Sequence, residues 1–259
     1  MPSPALIAFG QRMAEVRRLL EICSTSDQSE TRARPTQEVL QRDRAVLRGA
    51  LVLLCSHVEG FFEDIVSDAI NVYDRIVSKF EDIPHEITMR QVLGSPRLWD
   101  LTDTAKKWKA VKKWSTHPLV KEAPLIPPRC LDAEIHTVGF ANPGTGEIDN
   151  LLETIGIKGV WSKFSAIETS GIIFTSAIDT IVNRRNQIAH GDFASTVTLD
   201  DVQTYISRAE RVSEVIDQIV TADINSRLAL SDCWQSLDEH INGVSSPGVG
   251  ASGNPRGGS

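Results

Sequence analysis

Between about Thr36 and Phe80, apolar residues recur in steps of three and four: Leu47, Leu51, Leu54, Val58, Phe61, Ile65, Ala69, Val72 and Ile76. That spacing keeps them on one side of a helix with 3.6 residues per turn and predicts one long helix with a continuous buried stripe. Pro35 suits its start and Pro84 its stop. Gly60 falls inside the run, but its flanks keep the helical period, so a bend at most is expected there.

A second stripe, Val202, Ile206, Ala209, Val212, Ile216, Ile219 and Val220, predicts another long helix. Thr198-Leu199-Asp200-Asp201 stands before it, with a threonine to cap and an acid three residues on to reach back. A shorter helix is expected from roughly Thr169 to Ala189, with Ile173, Ala177, Ile178, Ile181 and Val182 facing inward. Leu6 to Ile22 is amphipathic as well.

Residues 84 to 164 have a different texture. Pro96, Pro118, Pro124, Pro127, Pro128 and Pro143 punctuate them, and Asn142-Pro143-Gly144-Thr145-Gly146 is a turn cluster. Short helices are expected near Asp103–Ser115 and Glu147–Ile155, in a loop-rich insertion across a helical core. No repeat of fixed period and no sustained alternation appears, so the fold class is all-α. Residues 1–242 read as a single domain. The Gly/Ser/Pro-rich stretch 243–259 reads as a disordered tail.

Composition narrows the function. A chain of 259 residues with 24% charged residues is a folded domain of ordinary size. The four cysteines, at 23, 55, 130 and 233, share no CxxC spacing, which argues against a zinc site or a disulfide framework. The amino terminus lacks the pattern of a signal peptide, and the longest apolar run, Gly49 to Cys55, is short for a membrane helix. A soluble cytoplasmic protein without membrane contact is expected. The net charge of -7 disfavours an architectural nucleic-acid binder while allowing a local basic site.

The stretch richest in chemistry is Asn183-Arg184-Arg185-Asn186-Gln187-Ile188-Ala189-His190-Gly191-Asp192, which closes the third helix with Gly191 as its left-handed cap. Asn186 and His190 are four apart and share a face, whereas Arg185 is five before His190 and lies well off it. The two converge if the helix loosens at its end, or if a second copy supplies the facing group. A histidine exchanges protons near neutrality, an arginine fork matches phosphate oxygens, and an asparagine holds a tautomer or adds a hydrogen bond. Together they fit phosphodiester cleavage without a metal, the 2′-hydroxyl of RNA being the nucleophile. The plainer alternative is a basic cap that complements the helix dipole.

Arg185-Asn186-x-x-x-His190 resembles the signature of the HEPN superfamily (higher eukaryotes and prokaryotes nucleotide-binding domains). Leu51-Val-Leu-Leu-Cys-Ser-His-Val-Glu-Gly-Phe-Phe-Glu63 is similar to the long early helix of its RiboL-PSP-HEPN branch, and Glu147 to Ile157 resembles the segment preceding the motif helix. The likeness spans roughly residues 40 to 220. It implies a helical bundle that dimerises about a two-fold axis with both motif copies at one cleft. It also implies an endoribonuclease, often a toxin or phage-defence effector, that needs no cofactor. By position, Arg185 would steady the phosphate, His190 would act as acid or base, and Asn186 would support them. An antitoxin or defence-system protein is the expected partner. The rival reading is a non-catalytic binding or adaptor subunit of a two-component system.

Glu59 interrupts an apolar helix face. It either orients Arg184, Arg185 or His190 from behind the site or forms an ion pair that fixes packing. Lys106, Lys107, Trp108, Lys109, Lys112 and Lys113 form a run without acids that could hold a single strand of RNA. The competing reading is an amphipathic helix with its lysines in water.

Overall fold

In the computed structural model, the described residues are 1–28, 36–77, 82–93, 131–170, 173–192 and 196–244. They form helices α1 (Pro4–Gln28), α2 (Gln37–Ile76), α3 (His85–Leu93), α4 (Glu134–Thr137) and α5 (Thr145–Glu153), then α6 (Val160–Ile167), α7 (Phe174–Ala189), α8 (Leu199–Leu228) and α9 (Cys233–Val244). No strand occurs among the described residues, and the fold is all-α.

The 40-residue helix α2 is the axis of the bundle. Thr36 caps it, its hydroxyl accepting from the Val39 amide at 3.3 Å. The stripe from Leu47 to Val72 is buried, and so are Ala50, Cys55, Phe62, Val66, Ile70 and Tyr73 on its flanks. The buried face is wider than one stripe because α2 is covered on several sides, by α1, α7, α8 and α9. By length and composition α2 would also pass for a membrane span, which the short run Gly49–Cys55 does not suggest. Its packing is that of a central core helix. Gly60 neither breaks nor ends it. A Cβ there would lie 2.9 Å from Nη1 of Arg12, so the glycine lets that guanidinium reach Asp64 at 2.6 Å.

Helix α1 runs antiparallel to α2. Ala5 pairs with Asp68, Arg12 with Asp64 and Cys23 with Asp43, and the Phe9 and Phe61 rings pack at 5.3 Å. The amino end of α1 is held by two acids. Ala5 N donates to Asp68 at 2.9 Å and Ser3 N to Asp217 at 3.2 Å, where the helix dipole favours negative charge. Burial nevertheless pushes both carboxyls up, Asp68 to about 6.

Helix α8 has the expected capping box. Thr198 Oγ1 accepts from Asp201 N, and Asp201 Oδ2 accepts from Thr198 N. Its seven expected core residues are all buried. Helix α7 starts at Phe174, later than the sequence pattern predicts. Ile173, expected inside, is 71% exposed because it precedes the first turn, and Phe174 takes the inward place.

The loop-rich region is better integrated than its prolines suggest. Ile148, Leu151, Leu152, Ile155, Ile157, Val160 and Phe164 join the same hydrophobic core as α2 and α8. Helices α3, α4, α6 and α9 lack a counterpart in the sequence reading, and α9 runs two residues into the stretch read as tail. Where the described chain leaves after Leu93 and returns at Leu131, its two sides are tied together. Gln91 donates to the Asp132 carbonyl at 2.7 Å and Arg90 to the Ile135 carbonyl at 3.0 Å. The expected helix near 103–115, with Lys106, Lys107, Trp108, Lys109, Lys112 and Lys113, lies outside the described residues. So does the stretch 245–259.

Candidate functional site

The polar motif occupies the last turn and a half of α7. Upstream, Ala177, Ile178, Ile181 and Val182 bury one face of the helix, and Asp179 accepts from the amide and hydroxyl of Thr145. These contacts fix the rotation of α7, and that rotation decides where each motif side chain points.

The helix stays regular to its end. The His190 amide still bonds to the Asn186 carbonyl at 2.9 Å, Gly191 N to Ile188 O at 3.1 Å and Asp192 N to Gln187 O at 3.0 Å. Gly191 has φ +80°. This is a Schellman closure, and it needs a residue that tolerates the left-handed region. The loosened helix end that would let one chain bring its own arginine and histidine together is not present.

The two adjacent arginines diverge. Arg184 Nη1 donates to the Thr196 carbonyl at 2.6 Å, tying α7 to the approach of α8. Arg185 turns to α2 instead. Its Nη2 lies 3.6 Å from Glu59 Oε2, and its Nη1 donates to Asn186 Oδ1 at 3.0 Å. Both partners of the ion pair are half-buried, with side chains 22% and 27% exposed. The pair is thus screened on one side only, and its acid keeps the guanidinium aimed at α2.

Behind the pair lies Cys55, fully buried and one helical turn from Glu59. Burial pushes its thiol up, while hydrogen bonding to the Arg185 guanidinium pulls the other way. In the sequence, Cys55 stands among apolar residues and carries no mark of a site. Its spacing of four from Glu59, which puts both on one face of α2, is the signal that points to it. Glu63, one turn beyond Glu59, is also raised by desolvation, with Glu59 and Asp64 adding repulsion.

His190 is exposed, and no hydrogen bond joins its ring to Arg185 or Asn186. The structure therefore brings together Arg185, Asn186, Glu59 and Cys55, and leaves His190 at the helix tip facing outward. Among the described residues, clefts open elsewhere. One, of about 340 Å³, lies between α1 and α8 beside Leu20 and Ile206; another, of about 500 Å³, lies beside Leu6 and Asp217. Neither is lined by motif residues. Among the described residues no group of three His, Cys, Asp or Glu side chains is placed to hold a metal ion.

An all-α bundle built on one long helix, with a polar arginine motif closing a second, defines the class. The profile of the MAE_28990-like HEPN family matches residues 6–229, and the chain belongs to that family. Comparison with curated proteins and with solved structures returns no match for either.

Proposed function

We propose that the protein is a metal-independent endoribonuclease that works as a two-fold homodimer, as a toxin or a phage-defence effector. HEPN domains are often ribonucleases, and the early-helix likeness to the RiboL-PSP-HEPN branch supports the same reading. The observation that carries it is the pairing of Arg185 with Glu59 on the same helix that ends, five residues on, in an exposed His190. A guanidinium held in a fixed direction is suited to a phosphate, and an imidazole at a helix tip is suited to exchange protons with a ligand.

In the reaction, the 2′-oxygen of one nucleotide attacks its own 3′-phosphorus and gives up its proton to a base. The bond from phosphorus to the 5′-oxygen breaks, and that oxygen takes a proton from an acid. The products are a 2′,3′-cyclic phosphate and a 5′-hydroxyl. Arg185 stabilises the added charge on the phosphoryl oxygens, His190 carries a proton, and Asn186 holds Arg185 in line.

The closed end of α7 favours a composite site over a site within one chain. A mixed dimer tests this. Arg185→Ala and His190→Ala should each lose activity alone, by about 10²–10⁴-fold for the histidine. Combined in one solution after subunit exchange, they should recover about a quarter of wild-type cutting, since half the dimers then hold one intact site of two. Cleavage should persist in EDTA. Full activity of either single variant ends the proposal, and failure of the mixture to recover ends the shared-site part of it.

A further inference from the structure

We infer that Glu63 is the general base of the cleavage, the carboxylate that takes the 2′-hydroxyl proton while His190 protonates the leaving 5′-oxygen; this rests on the ribonuclease reading above. The reaction needs two proton carriers, one for the attacking oxygen and one for the departing oxygen, and an imidazole fills only one of these roles in a given step. Three acids stand close together on α2: Glu59, Glu63 and Asp64. Two of them are engaged, Glu59 by Arg185 at 3.6 Å and Asp64 by Arg12 at 2.6 Å. Glu63 has neither a cation nor a hydrogen-bond donor among the described residues; the charges acting on it are those of Glu59 and Asp64.

Helix geometry puts Glu63 on the side of the motif. α2 is continuous from Gln37 to Ile76, so Glu63 lies about 40° from Glu59 in azimuth and about 6 Å further along the axis. Asp64 lies about 140° from Glu59, toward α1. Ser56 falls within about 20° of Glu63 by the same arithmetic. It is exposed, so the strip of α2 that the two share opens to water. Glu63 itself is half-buried, in the wall of that strip. Its burial, with the two neighbouring acids, raises the carboxyl and makes the ionised form a stronger base than an exposed glutamate.

His190 lies on the other side of Arg185. Asp217 of α8 is level with Asp68 of α2, since both hold the amino end of α1, and Asp223 and Arg227 lie beside Tyr73, so α8 runs parallel to α2. Arg184 is tied to Thr196 just before α8 begins, so α7 ends toward the amino-terminal half of α2 and His190 points that way. In-line displacement sets the attacking and departing oxygens on opposite sides of phosphorus. With the phosphate on Arg185, the 2′-oxygen meets Glu63 of the same chain, and the imidazole for the 5′-oxygen is supplied by the second copy. Glu63 takes a proton as the bond from the 2′-oxygen to phosphorus forms. The bond to the 5′-oxygen breaks as that oxygen takes the imidazolium proton, and water restores both groups.

The test compares RNA with a ribonucleoside 3′-phosphodiester whose leaving group is p-nitrophenolate, which departs without an acid but still needs a base. Glu63→Gln in the full-length chain should slow cleavage of both substrates by about 10²–10⁴-fold without lowering the urea midpoint. Glu63→Asp keeps the carboxylate and should lose less. His190→Ala should lose its activity on RNA and regain most of it on the nitrophenyl ester. After subunit exchange, Glu63→Gln mixed with His190→Ala should recover about a quarter of wild-type cutting, and mixed with Arg185→Ala none. Wild-type rates in Glu63→Gln, or equal losses in the Gln and Asp variants, overturn the assignment and leave the ribonuclease reading standing. Recovery of Glu63→Gln on the ester also overturns it, since the carboxyl would then be the acid. A wild type that cuts neither substrate ends the reading and the assignment together.

Discussion

Glu59 Oε2 and Arg185 Nη2 face each other at 3.6 Å across the α2–α7 contact and fasten the polar motif to the central helix. Because both side chains keep roughly a quarter of their surface in water, the pair adds less than about 1 kcal/mol to stability. Its effect on catalysis is larger. Glu59→Gln should lower kcat about tenfold with little change in KM, since aim matters most when charge develops on the phosphate. In Arg185→Ala the same change should have no further effect. Steady-state cleavage by the four forms of this cycle checks both statements.

Arg184 and Arg185 should separate cleanly. Arg184→Ala removes a hydrogen bond to the Thr196 carbonyl and should destabilise by about 1 kcal/mol, read as a lower urea midpoint with unchanged m. Cleavage should survive. Arg185→Ala should do the reverse, leaving the midpoint almost in place and removing activity.

Gly191→Ala places a Cβ on a backbone with φ +80°, at a cost of about 1–2 kcal/mol, with Gly191→Asn milder. The carrier of His190 is then unsettled. The alanine variant should lose kcat as well as stability, and the asparagine variant should keep most of both. Thermal unfolding alongside cleavage rates tests the pairing of the two effects.

Two buried groups oppose each other in the pH dependence of stability. Asp68 is raised to about 6 by burial, so its ionised form burdens the folded state at pH 7 and the protein gains stability as pH falls through about 6 toward 4. His136, 1% exposed and beside Arg90, is lowered to about 4, so its contribution is present above about 6.5 and is lost as pH falls toward 4. Each is worth on the order of 3 kcal/mol over the window. Between pH 7 and 5 the wild type should change little. Asp68→Asn should be more stable than wild type at pH 7 and lose stability on acidification, while His136→Gln should gain it. Urea titrations at the two pH values distinguish these signs.

The parts of the fold that sequence makes legible are those set by periodicity and caps. The Leu47–Val72 stripe, the Thr198–Asp201 box and the Gly191 closure are all local patterns, and the structure contains each. Helices α3, α6 and α9 are short, and their burial depends on neighbours far along the chain. Trp234 of α9, for example, is fixed by a hydrogen bond to Thr221 of α8. At the site, spacing identifies the motif but not the split between Arg184 and Arg185. That split is decided by the rotation of α7, hence by Asp179 on Thr145 and by its apolar face. Cys55 is not legible as part of the site, because a cysteine in an apolar helix reads the same whether or not a guanidinium lies above it.

The clasp of Gln91 on Asp132 and Arg90 on Ile135 sets two backbone stretches, some forty residues apart in sequence, side by side. The described backbone therefore departs after Leu93 and resumes at Leu131 at a single junction, held by two side chains of α3. With its two sides fastened there, α3 and α4 act as one brace, and loosening either hydrogen bond would free the other side as well.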